Sequence, residues 1–416
     1  MDKRDFLRGV GGCTLGGVLG AHAWAKWAAF PAAELAQAAD FWAELRGKYR
    51  LNPDYINLEN GYYSMMSQPV LEAFVGRVRE VNYEAARFMR VRAAEERLAS
   101  RRELARLAGC GHDEITITRN TTESLDAVIA GFDWKSGDEA VMAEQDYGSM
   151  LEMFDQQARR HGIVCRRVSL PLDPQSDEEL VELYASAITE RTRLLMVCHM
   201  VNITGQILPV AKIADMAHSK GVAVMVDGAH AFAHVEFRMA DLHCDYYGAS
   251  LHKWLGCPLG AGLLWVRKDR IADLWPLLAP SPKAADDIER LSHSGTHPAH
   301  TDLALRDAIA FHESIGIARK EARLRHLQQY WTSRVRGRPR IRLNTPADPR
   351  RSCAIANVGV DGLTPPELAK RLFDDHRIYT VAIERANVHG VRVTPHLFTS
   401  EAELDALVRA LLAIAA

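Results

Sequence analysis

The sequence predicts an α/β fold, a mainly parallel seven-stranded sheet between helices followed by a small C-terminal α+β domain. Three observations point there. Short β-rich runs are separated by helix-patterned segments, the arrangement of a sheet covered on both faces. Polar and charged side chains stand at the ends of these runs, where ligands sit in such sheets. After about residue 290 the alternation stops and a long polar helix begins.

Residues at about 34–50 and 69–108 read helical, with Arg/Glu and Ala/Leu at three- and four-residue spacing. "DEITITRN" alternates as a strand and runs into "TTESLDAVIAGF", an amphipathic helix with an Asn/Thr-rich start. "DEAVMAEQ", "VCRRVSL" and "RLLMVCHM" are the next strands, each followed by a helix. "GVAVMVDGAH", "CDYYGAS" and "AGLLWVRKD" complete the seven. A single helix over about 301–335 then leads to "SCAIANVGV", the helix "TPPELAKRLFDDH", the strand "GVRVTP" and the terminal helix "SEAELDALVRALLAIA". The division is an N-terminal segment 1–25, an arm 26–68 contributing to the small domain, a large domain 69–295, and a connecting helix with the small domain, 296–416.

Composition is that of an ordinary globular chain: 416 residues, 48% apolar, 25% charged, formal net charge −2. That balance favours neither nucleic acid nor an anionic membrane as partner. The seven cysteines are scattered and form no CxxC pair, which indicates neither a disulfide framework nor a zinc site. The N-terminus has the order of a signal peptide: a basic start, a Gly-rich apolar run to Leu19, then Ala21-His22-Ala23 and Ala23-Trp24-Ala25. "KRDFLR" matches a twin-arginine (Tat-type) export motif at Arg4, Phe6 and Leu7, with Lys3 where the first arginine is usual. Export to the periplasm is the expectation; a frayed helix on a cytoplasmic chain is the alternative.

The strand ends carry the chemistry. Asn120-Thr121-Thr122-Glu123 opens a helix, and backbone N–H groups with hydroxyls at a helix start suit a phosphate; a plain N-cap explains the same residues. Asp227 ends the apolar run 222–226, where a carboxylate is costly unless it meets a cation or strong donors; capping is the alternative. His230 follows three residues later. Lys253 lies beyond the next strand beside Ser250 and His252; an amine held in an apolar pocket becomes a nucleophile towards carbonyls, whereas a snorkelling lysine does not. Tyr147 and Asn202 follow two other strands and could stack on and hydrogen-bond a planar ligand. Together they fit one ligand, pyridoxal 5'-phosphate, which needs an anion cradle, a carboxylate at its ring nitrogen and a lysine.

"ITRNTTESL", "HMVNITGQILPV", "VDGAHAFAH", "YGASLHKWLGCPLGAGLLWVRKD" and "GVRVTPHLFTSEAELDAL" resemble the class V aminotransferase family of fold-type I pyridoxal-phosphate-dependent transferases. Within it the chain resembles the isopenicillin N epimerase-like branch, from about Asn57 to the C-terminus. The resemblance implies that Lys253 carries the cofactor as an internal aldimine and that Asp227 holds the pyridinium proton. It implies that His230 approaches the phenolic oxygen, that Thr121, Thr122, Ser250 and His252 hold the phosphate, and that Tyr147 stacks on the ring. Asn202 would contact ring or substrate, and Arg392 would clamp a substrate carboxylate. Asn60 and Tyr62, in "LENGYY", would line the substrate entrance. Thr296 would reach the phosphate of a neighbouring subunit, implying a homodimer with shared sites.

The substrate so implied is an amino acid or amino-acid-like molecule, acted on through an external aldimine and a Cα carbanion. Epimerisation, transamination and β-elimination at a C–S bond all remain open, with the epimerase-like outcome favoured by the branch. Cysteine desulfurase chemistry is not expected, because "RIYTVAIERANVHGVR" before Arg392 carries no cysteine. Three readings of other classes compete. A metal-dependent hydrolase would use Asp227, His230 and His234; a serine hydrolase would use Ser250; a non-catalytic binding protein would keep the fold alone.

Overall fold

The computed structural model describes Trp24, Trp27, residues 30–279 and residues 282–416. The export motif and all but Trp24 of the expected signal segment lie outside the described residues. The strands run as β1 (Ile56–Asn57), β2 (Ile115–Thr118), β3 (Glu139–Ala143), β4 (Val164–Val168) and β5 (Thr192–Cys198). Then come β6 (Ala223–Asp227), β7 (Tyr246–Ser250), β8 (Gly262–Val266) and β9 (Ile341–Leu343). The last four are β10 (Ala356–Val360), β11 (Ile378–Tyr379), β12 (Val381–Arg385) and β13 (Val388–Val393).

β2 to β8 form one seven-stranded sheet in the order β2-β8-β7-β6-β5-β3-β4. Pairing is parallel from β7 across to β4, and β8 runs antiparallel to both its neighbours. The expected mainly parallel sheet between helices is therefore present. Its strands are apolar at consecutive positions because both faces are covered. Leu195, Val197, Val224 and Val226 join one buried cluster, while Leu194, Met196, Ala223 and Met225, from the same strands, join another.

Three expected helices are broken, the first being 34–50, which resolves into Ala32–Leu35 and Ala39–Arg46. The span 69–108 resolves into Gln68–Glu84, a π-helical turn at Phe88–Arg92, and Ala93–Ala108. The break falls at Ala85, a non-glycine residue with φ 44°. The expected helix over 301–335 is two helices, Ala299–Ile315 and Ile317–Val335, separated by Gly316 at φ 88°. At that dihedral only glycine is unstrained. "Polar" also misdescribes the first of them: Leu303, Leu305, Ile309 and Phe311 are buried.

The C-terminal unit is a four-stranded antiparallel sheet, β12-β13-β10-β9, whose core combines Val358, Val391 and Val393 with Trp331, Leu372 and Leu411 from its helices. The arm joins this unit by pairing β1 with β11 and Glu59 with Thr394, both in parallel. Trp24 is buried against Phe41, ring centroids 5.1 Å apart at 65°.

Candidate active site

The carboxyl ends of β5, β6 and β7 and the start of the helix Thr121–Gly131 enclose a cavity of about 170 Å³. Thr121, Thr122, Ser250 and His252 line it, as do Tyr147 and Asn202. Asp227, His230 and Lys253 complete the predicted group, with Tyr62 from the arm. Asn60, Thr296 and Arg392 do not line it.

The cradle forms where β2 turns into its helix. Asn120 is the N-cap, its Oδ1 accepting from the Glu123 amide at 2.9 Å, so the capping explanation holds for Asn120. Thr121 instead turns to Ser250: its amide donates to Ser250 Oγ at 2.9 Å, and the two hydroxyls lie 2.7 Å apart. β8 passes close behind, because a Cβ on Gly262 would lie 2.6 Å from the Asn120 backbone. The helix's first turn thus faces the cavity with N–H groups and its positive dipole end, which favours an anion.

Asp227 closes β6 with 5% of its surface exposed, and its Oδ1 accepts from the Ala229 amide at 3.0 Å. Burial pushes its carboxyl above the ordinary value, against the pull of that amide and of the Lys253 charge. A cation placed opposite would restore the ionised form. Lys253 shows the converse: burial lowers its amine to about 8, although the Asp227 charge opposes the shift.

Lys253 Nζ lies 3.1 Å from His230 Nε2. The histidine's tautomer follows from its other nitrogen. Trp254 Nε1, a donor only, points at His230 Nδ1 at 3.4 Å, so Nδ1 carries the lone pair and Nε2 the hydrogen, which the Lys253 amine accepts only in its neutral form. Burial and the Lys253 charge hold His230 well below the ordinary histidine range, hence neutral. The cavity is thereby given an N–H donor in fixed orientation.

His234, four residues on, is spent on structure. Its Nε2 accepts from the Ala354 amide at 3.1 Å and its Nδ1 donates to the His230 carbonyl at 2.7 Å. The hydrolase arrangement of Asp227, His230 and His234 therefore has no free His234 nitrogen for a metal. Ser250 is likewise engaged with Thr121.

Two buried polar atoms of cavity residues have no partner, Asn202 Oδ1 and His252 Nδ1. Burial lowers His252 to about 4, so it too is neutral near pH 7. An anion cradle, a buried carboxylate, a neutral N–H donor, unpaired polar atoms and a low-pKa amine in one cavity fit a cationic heterocycle with a phosphate arm and a carbonyl.

Arg392 sits in β13 with none of its surface exposed. Its Nη2 and Nε donate to Glu59 at 2.6 and 3.1 Å, and its Nη1 donates to the Asn202 carbonyl at 3.0 Å. Its guanidinium carbon lies 3.9 Å from the Tyr62 ring centroid. Asn60 is consumed by the arm: its amide donates to Thr394 Oγ1 at 2.6 Å, and its Nδ2 to the Thr394 carbonyl at 2.9 Å. Both residues are bonded to other residues of the chain, and Thr296 is exposed and does not line the cavity.

Sequence reasoning missed Glu59, Cys198 and Asp146, while Tyr63 belongs to the entrance segment that it expected. Tyr63 and Cys198 line the cavity, and Tyr63 stacks on His252 with centroids 6.1 Å apart. Asp146 is fully buried, its carboxyl pushed up to about 7 by burial and by Asp227. Glu59 had one signal, a carboxylate directly before Asn60-Gly61 in an otherwise apolar-aromatic stretch.

Residues 60–415 match the family model described as aminotransferase class-V. The chain belongs to the class V aminotransferase family. It is 29% identical over 387 residues to an isopenicillin N epimerase of Streptomyces clavuligerus, an alignment covering 89% of this chain and 97% of that one. Among solved structures it resembles an apo cysteine desulfurase of Thermococcus onnurineus NA1, with TM-score 0.79 and 22% identity over 90% of this chain and 98% of the other. It also resembles a C-DES variant with glycine covalently linked to its pyridoxal-phosphate cofactor, with TM-score 0.78 and 22% identity over 86% and 96% of the two chains. These structures confirm the fold. The cofactor of this class V family member is pyridoxal 5'-phosphate, in agreement with the residues that line the cavity.

Proposed function

We propose that this enzyme acts at the amine-bearing carbon of an amino acid or amino-acid-like substrate, with epimerisation as its outcome. The observation that carries the reading is the Lys253 amine, lowered to about 8 and sharing one cavity with buried Asp227. The 29% identity to an isopenicillin N epimerase over 97% of its length supports the choice of outcome.

Bound, the cofactor supplies an electron sink conjugated to the amine-bearing carbon. This chain's residues do the rest. Asp227 would hold the proton on the ring nitrogen, and its burial would strengthen that pairing. Thr121, Thr122, Ser250 and His252 would hold the phosphate, the His230 Nε2–H would serve the phenolic oxygen, and Tyr147 would pack on the ring. Lys253, in the turn that follows β7, would remove the proton at the substrate carbon, and epimerisation requires that a proton return from the opposite face; with a pKa near 8 the amine is a base near neutral pH. Tyr62 and Tyr63 cover the opening. Thr296, exposed, contributes to the site of a second subunit in a homodimer.

Aminotransfer or C–S lysis is the second reading, favoured by the likeness to a desulfurase. Desulfurase activity itself is not proposed: no cysteine lies between Arg377 and Arg392, and burial with Asp146 and Asp227 nearby pushes the Cys198 thiol far up. The holoenzyme is incubated with an amino-acid panel in deuterated water. Deuterium at Cα with loss of enantiomeric purity is expected. Keto-acid or thiol release without racemisation overturns the epimerase outcome, and no exchange with any member overturns catalysis at Cα.

A further inference from the structure

Arg392 is the guanidinium that would receive a substrate carboxylate, yet a carboxylate of the same chain already holds it. Glu59 takes the Nε–Nη2 edge in a two-point pair at 3.1 and 2.6 Å, the geometry that a ligand carboxylate would adopt. Glu59 is itself fixed. Its Oε1 accepts from the Gly61 amide at 3.1 Å and the Tyr62 amide at 2.9 Å, and 7% of its surface is exposed. The Asn202 carbonyl holds Nη1, and the Tyr62 ring lies against the guanidinium face. A substrate carboxylate can form the same two-point pair on the Nε–Nη2 edge only by displacing Glu59, which would then be buried with two amides and no cation. Such a charge is expensive to leave unpaired.

We propose that Glu59 is a specificity-determining residue that masks Arg392, giving the site comparable affinity for α-amino acids and for primary amines lacking the carboxylate. The inference rests on the reading of Arg392 as the carboxylate-facing group. For an α-amino acid, the gain from its carboxylate on Arg392 is cancelled by the loss of Glu59 from the same edge. For an amine, Glu59 stays and the cation remains neutralised. The discrimination that a bare arginine would impose is thereby largely erased.

The test is calorimetric and needs no turnover. Norvaline and butylamine, which differ only in the carboxylate, are titrated into the holoenzyme and into its Glu59→Gln variant. In that variant the side-chain amide oxygen can still accept from Gly61 and Tyr62, while the side-chain amide nitrogen cannot accept from Arg392. The native protein is expected to bind the two ligands within about tenfold of each other. The variant is expected to favour norvaline by roughly 10- to 100-fold more than the native protein does, the worth of a charge-assisted pair. An unchanged ratio in the variant overturns the proposal, as does a native preference for norvaline above tenfold. Should Glu59→Gln misfold, as read by its melting curve and cofactor absorbance, Glu59→Asp takes its place. Aspartate is one methylene shorter, reaches the guanidinium less well and should shift the ratio the same way by less; no shift overturns the proposal. Because binding is read apart from exchange, absence of Cα deuteration leaves this result standing on its own.

Discussion

The most direct test of the site is the protonation of Lys253. Its amine is lowered from 10.5 to about 8 because burial disfavours the charged form. Only the neutral amine can attack an aldehyde. At pH 7 a lysine of pKa 8 is neutral roughly 300 times more often than one of pKa 10.5. Capture of pyridoxal phosphate by the cofactor-free protein, followed by absorbance in a stopped-flow mixer, should therefore rise about tenfold per pH unit up to pH 7 or so and flatten above about 8. The Asp227 charge is the largest influence opposing the shift. Asp227→Asn removes it, so the bend should move to lower pH, while the plateau rate at high pH reports any separate loss of fit. Capture rates that climb without a bend to pH 10 would refute the claim that Lys253 is desolvated. A bend that stays put in Asp227→Asn would refute the electrostatic link between the two residues.

Ser250→Ala leaves the Thr121 amide and hydroxyl without their shared partner and removes a phosphate donor, so cofactor affinity measured by equilibrium dialysis should fall by about 10- to 100-fold with the melting temperature little changed. Asp146 has a carboxyl raised to about 7, so the folded chain holds its proton more tightly than the unfolded chain does. Its contribution to stability is complete below about pH 4 and is lost as pH rises towards 7, the folded state then carrying a buried charge. Thermal unfolding should show the native protein losing more stability between pH 5 and pH 8 than Asp146→Asn, by up to a few kcal/mol; parallel profiles would contradict the assignment.

The large sheet was legible because its strands are buried on both faces. A run such as 222–226 has no polar side to confuse its period, and the turn residues between runs mark each end. Helix continuity was not. Ala85 and Gly316 end helices inside segments whose apolar spacing continues across the break, and spacing carries no information about a single positive φ. Exposure misled in the same place: the helix Ala299–Ile315 carries charged residues yet is mostly buried, with Asp302 paired to Arg97 at 2.7 Å.

The site divides along a similar line. In a parallel sheet all strands end on one side, so Asp227, Ser250 and the residues just beyond them must meet whatever the lengths of the connections. That logic depends only on recognising the strands, and every strand-end residue expected at the cavity lines it. The arm and β13 obey no such rule. Glu59 and Arg392 are 333 residues apart, and neither residue's type reveals that the other is its partner. An arginine read alone looks available, because a guanidinium has no preference between a carboxylate of its own chain and one from solution. The parallel bridge between Glu59 and Thr394, with the β1–β11 pairing beside it, sets the register that puts carboxylate and guanidinium together. A catalytic apparatus built at strand ends can thus be inherited through the sheet, while the surroundings of Arg392 are set where a separate segment docks, and a change at Glu59 reaches Lys253 only through its charge, which supports the protonated amine.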